Sequence, residues 1–101
     1  MKIGRNARDL RSPKNIDPPP AELAMRALAF LTRDEDRLSR FLSLTGVDAG
    51  DVRALLGDRG FHLAVLDHLA GEEATLLEFV VTEGLPPEAV GRARRALGGG
   101  D

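Results

Sequence analysis

The sequence predicts an all-α protein, a compact orthogonal array of five or six short helices behind a disordered basic N-terminal arm. Leu and Ala supply 29 of the 43 apolar residues in a chain of 101. Both are strong helix formers, whereas the aromatic residues that favour strands are scarce, with four Phe and no Trp or Tyr. Within successive segments the apolar residues recur at three- and four-residue steps, the period of one helix face. Between these segments stand Asp residues at starting positions and single Gly residues at stops. A chain of this length forms one domain and buries roughly 60–65% of its unfolded surface if every residue is ordered.

The elements follow in order. Residues 1–19 are expected to be a disordered arm, with Gly4, Asn6, Pro13 and Asn15 among apolar residues that keep no period. Pro18-Pro19-Pro20 ends it as a polyproline II stub, with Pro20 at the first helical turn, where a missing N–H costs nothing. The helical domain spans residues 20–97. Helix 1, Pro20 to Leu31, turns Leu23, Ala24, Ala27, Leu28 and Leu31 inward and pairs Glu22 with Arg26 outside. Asp34 caps helix 2, Glu35 to Leu44, whose stripe is Leu38, Phe41, Leu42 and Thr45, and Gly46 stops it in a left-handed conformation. Helix 3, Ala49 to Leu56, starts from Asp48 with Asp51 completing a capping-box variant, and ends at Gly57.

Asp58 caps helix 4, Arg59 to Ala70. Its Phe61, Leu63, Ala64, Val65, Leu66, Leu69 and Ala70 surround nearly the whole axis, and a helix apolar all round is a buried one, so helix 4 is the expected centre. Gly71 closes it. Glu72-Glu73 opens helix 5, which runs to Glu83 with Leu76, Leu77, Phe79 and Val80 inward. Gly84 stops that helix, and Leu85-Pro86-Pro87 leads into helix 6, Pro87 to Leu97, with the small inner face Ala89, Val90, Ala93 and Leu97. Residues 98–101 are expected to fray. Phe30, Phe41, Phe61 and Phe79 fall one to each of four of the five longer helices, and most of these rings are expected to meet in one core.

From Ala21 to Val90, about two-thirds of the chain, the sequence resembles a family of short bacterial proteins known only as a domain of unknown function. The resemblance rests on Ala21-Glu22-Leu23-Ala24, Phe41-Leu42-Ser43-Leu44-Thr45-Gly46, Leu55-Leu56 with Phe61, Val65-Leu66-Asp67, and Leu76-Leu77-Glu78-Phe79. These are core and cap residues in a fixed order, without a reactive motif. The resemblance implies no catalytic residue, cofactor or partner.

The net charge of −2 is the sum of unlike parts. Residues 1–19 carry five basic and two acidic residues, a net +3, and the remainder is −5. The basic N-terminus is not followed by the apolar run of a secretory signal, and no stretch is long enough to span a bilayer, so a cytoplasmic protein without membrane contact is expected.

Zero Cys excludes a disulfide scaffold, a thiol nucleophile and a thiolate metal site. His62 and His68, the only histidines, are six residues apart, which turns them to different sides of one helix and away from a shared metal. Each has a carboxylate four residues away, Asp58 and Glu72. A catalytic role would need a cleft with such a carboxylate within about 3 Å. The expected role is structural, filling a half-buried slot or hydrogen-bonding the end of a neighbouring helix. Asp34-Glu35-Asp36 and Glu72-Glu73 fall in first helical turns, where negative charge stabilises the helix, and lack the alternating oxygens of a calcium loop. No Gly-rich loop precedes a Lys-Ser or Lys-Thr pair, and Ser12, Ser39 and Ser43 lack an obvious base. Neither an enzyme activity nor a cofactor is expected.

Two surfaces remain. Leu44 and Val81 are apolar residues that so small a core does not absorb, and they mark a binding face for another protein, or for a second copy in a weak homodimer of an otherwise monomeric chain. The alternative is nucleic acid, met by Arg5, Arg8, Arg11 and Lys14 of the arm or by Arg92, Arg94 and Arg95 on helix 6 of a helix-turn-helix-like pair. Against it stand the donor-poor start of helix 6, Pro86-Pro87-Glu88, and an arm without aromatic residues to stack on bases. The plainer account of the three Arg is that they complement the end of their own helix.

Overall fold

Apolar residues at helical spacing, separated by caps and turns, can bury their faces only against one another, and here they do so around a single central helix. The computed structural model describes residues 17–98; Arg5, Arg8, Arg11 and Lys14 lie outside the described residues, as do residues 99–101. The elements are α1 (Pro20–Thr32), α2 (Glu35–Thr45), a 3₁₀ turn (Ala49–Asp51) running into α3 (Val52–Leu55), α4 (Arg59–Ala70), α5 (Glu73–Glu83) and α6 (Glu88–Ala96). Among the described residues the fold is all-α.

α4 packs against α1, α2, α5 and α6, and α1 also meets α2 and α6. The central place expected for the all-round apolar helix is therefore found. Phe61, Val65, Leu66 and Leu69 of α4 join Leu23, Ala27 and Leu31 of α1, Phe41 of α2, Phe79 and Val80 of α5, and Val90 of α6 in one buried cluster. All four Phe rings are in it, as two edge-to-face pairs: Phe30 with Phe79 at 5.5 Å and Phe41 with Phe61 at 6.1 Å between centroids.

The caps are local. Asp34 accepts from the N–H groups of Asp36 at 2.9 Å and Arg37 at 3.3 Å, and Asp58 accepts from Phe61 N–H at 2.8 Å. Gly46 and Gly84 end α2 and α5 at φ 76° and 70°, in the left-handed region that favours Gly.

Two local expectations need correction. Helix 3 is a 3₁₀ turn and a single α-turn, and Asp48 makes no side-chain cap. Gly50 weakens the first turn, and α3 has no fully buried residue to hold a longer helix. Gly71 closes α4 as expected, at φ −85° in the right-handed region, and the chain leaves that region only at Glu72, φ −120° and ψ 84°, before α5 begins. Asp17, assigned to the arm, is tied to α6 through Arg92. No helix of the described residues is long and apolar enough to cross a membrane.

Candidate functional site

α5 is the helix whose apolar residues exceed what the core can take. Leu76, Phe79 and Val80 point toward the core; at about 100° per residue, Leu77 falls at the edge of that face and Val81 beyond it. Val81 is 78% exposed and Leu77 42%, so the inward placement expected for Leu77 is wrong. The signal that could have found it is the four-residue step from Leu77 to Val81, which puts both on one stripe. Leu44, near the end of α2, is 61% exposed. Leu44 and Val81 thus lie on the surface, on α2 and α5.

α2 and α5 are joined by charged side chains. Arg37 donates to Glu78 at 2.5 Å and Arg40 to Glu72 at 2.9 Å. The Arg37 guanidinium also stands 5.3 Å from the centre of the Phe30 ring and 3.9 Å from Asp34, so it links α1, α2 and α5 at one point. The Glu78 hydrogen bond raises the Arg37 pKa above its ordinary value. At the far end of α5, Glu83 receives Arg26 from α1 at 3.3 Å. Glu72, expected to act within its own first turn, makes no side-chain cap and holds Arg40 instead.

The two histidines play different parts. His62 is the one buried polar side chain among the described residues, and its Nε2–H donates to the Leu56 carbonyl at 2.6 Å. That carbonyl lies at the end of α3, and His62 satisfies it in the way expected of a residue bonding a neighbouring helix. The Asp58 carboxylate is taken up by the Phe61 N–H. His68 packs edge-on against Phe41, with ring centroids 5.2 Å apart. Burial holds its pKa below the ordinary value; Glu72 opposes that shift and Arg40 reinforces it. Among the described residues, no group of three or more His, Asp or Glu side chains is placed to hold a metal ion.

The α6 cations are largely engaged within the chain. Arg92 forms a two-point contact with Asp17, at 2.7 and 3.1 Å, and Arg94 donates to Asp67 of α4 at 2.6 Å. The carbonyl of Ala96, at the end of α6, accepts from Arg59 of α4 at 3.1 Å. Arg92 and Arg94 therefore donate to carboxylates of other segments and not to carbonyls of their own helix, while Arg94 and Arg95 still place positive charge in its last turn, Arg95 exposed. Asp17, Pro18, Pro19 and Pro20 together with Arg92, Ala93 and Ala96 line an open groove of about 300 Å³.

Residues 19–100 match a family described as a protein of unknown function, DUF3572, in agreement with the resemblance carried by the core and cap residues. Comparisons with curated proteins and with solved structures find no match.

Proposed function

We propose that the chain, which belongs to the DUF3572 family of proteins of unknown function, is a small non-catalytic module that binds another protein. One observation carries the reading: α5 keeps Val81 78% and Leu77 42% exposed, although its opposite side is locked into the core by Phe79 and Val80. A rigid helix presenting an apolar stripe is a common way to engage a partner, and such a stripe costs solubility unless something covers it.

The expected outcome is separable from folding. Val81→Asp leaves the thermal midpoint within the range of a surface substitution, about 0.5 kcal/mol, because the side chain makes little contact with the core. The same variant loses the partner captured by the unaltered chain, while a control change at exposed Arg53 keeps it. Equal capture by both variants contradicts the proposal.

Nucleic-acid binding is the second reading, favoured by the five basic residues among residues 1–16 and weakened by the engagement of Arg92 and Arg94 with carboxylates. It predicts a salt-dependent gel shift that deletion of residues 1–17 removes. An unchanged gel at low salt disposes of it.

A further inference from the structure

Most of the acidic excess of the molecule coincides with three of the four exposed large apolar residues among the described residues, Leu56 at the end of α3 being the fourth. Residues 17–101 carry a net −6, of which residues 34–45 and 72–83, that is α2 and α5 with their caps, carry −5: seven acidic residues against Arg37 and Arg40. α5 itself contains no cation. These two helices, joined by the Arg37–Glu78 and Arg40–Glu72 pairs, are the ones that expose Leu44, Leu77 and Val81. A group that covers this face must supply positive charge together with apolar side chains.

A second copy does not meet that requirement. It would set one face of net −5 against another, and a stable dimer takes roughly 800 Å² from each partner, more than three separated apolar side chains provide. A short cationic segment does meet it, and this chain has one. Residues 1–16 hold Lys2, Arg5, Arg8, Arg11 and Lys14 against the single acid Asp9, with Ile3 and Leu10 among them. The segment joins the folded domain at Asp17, which Arg92 fixes to α6. Sixteen residues reach up to about 50 Å, whereas a domain of 82 residues has a radius of gyration of about 12 Å. Every face of the domain is within reach. The tether also holds the segment at an effective concentration in the millimolar range, so a patch too small to retain a free peptide can retain this one.

We infer that residues 1–16 dock on the acidic α2–α5 face over Leu77 and Val81 and shield it until a partner displaces them. The inference rests on the interaction face proposed above and adds its regulation.

The chain has no Cys, so Ser12→Cys provides a single attachment point for a nitroxide spin label. In the full-length, methyl-labelled protein at low salt, the nitroxide should quench the Leu77 and Val81 methyl signals more strongly than those of Leu55 and Leu85, relative to the reduced label. The quenching should disappear in about 1 M salt, where charges are screened beyond about 3 Å, and in the double variant Glu73→Lys/Glu78→Lys. Quenching that is absent or evenly spread overturns the inference, as does quenching that survives high salt. Quenching in a mixture of spin-labelled, NMR-silent chains with methyl-labelled chains assigns the face to a second copy and overturns it as well. If the segment fails to dock while Val81→Asp still loses its partner, this inference falls and the interaction reading stands.

Discussion

A handful of side chains determine how this fold closes, and the chemistry of each says what its replacement does. Gly46 and Gly84 stand at φ 76° and 70° with no atom within 4 Å of an added Cβ. Gly46→Ala and Gly84→Ala should therefore each cost about 1 kcal/mol through the backbone alone. Gly57 also has open space but no positive φ, so Gly57→Ala should be neutral or slightly stabilising. Chemical denaturation of the three variants separates them. His68 supplies a pH dependence. Burial against Phe41 keeps its pKa below 6.5 in the folded chain. As pH falls through 6.5, the unfolded chain takes up a proton that native His68 declines, so stability falls toward the native pKa and is unaffected by this group well above 6.5. Between about pH 7.5 and about pH 6, His68→Gln should lose less stability than the unaltered chain, as read from urea midpoints; equal losses contradict the assignment. Residue type and spacing were enough to foresee the Asp34 and Asp58 caps, because a cap is a contact between near neighbours. The pairing of Arg92 with Asp17 and of Arg94 with Asp67 was not legible, since partners 75 and 27 residues apart meet only through the packing.

Among the elements, α4 and α5 carry similar apolar content and meet different fates. α4 is enclosed by four other helices. Leu66 at its centre is fully buried, whereas Leu63 is only partly so. Leu66→Ala should cost about 2–5 kcal/mol and Leu63→Ala clearly less, and thermal melts rank them. Two neutral substitutions would remove α4 from the centre. α5 is covered on one side only, and its outer stripe remains in solvent. The start of α4 at Arg59 and its end at Ala70 could be read from the chain because Asp58 and Gly71 bracket a segment with apolar residues on nearly every side of the helix. The fate of Leu77 could not, because an edge position becomes inside or outside only when a neighbouring helix covers it. The same holds for α3, where a helical pattern without a buried face yields one α-turn.

In the whole molecule, a complete core coexists with an unspent surface. Phe30, Phe41, Phe61 and Phe79 close the interior, the α6 cations Arg92 and Arg94 are engaged, and three of the four large apolar residues left in solvent among the described residues, all but Leu56, lie on the two helices that hold the negative charge. The all-α class and the central helix follow from composition and periodicity, which are properties of the chain. The binding face depends on which sides stay uncovered, which is a property of the assembled molecule. The most direct measurement places a photo-crosslinking residue at position 81 and, in a separate variant, at exposed position 53, and irradiates both in the native cell. The interaction reading predicts that position 81 yields one discrete cross-linked protein of higher mass, that Leu77→Asp abolishes it, and that position 53 does not form it. No product at position 81, or the same products at both positions, would contradict it.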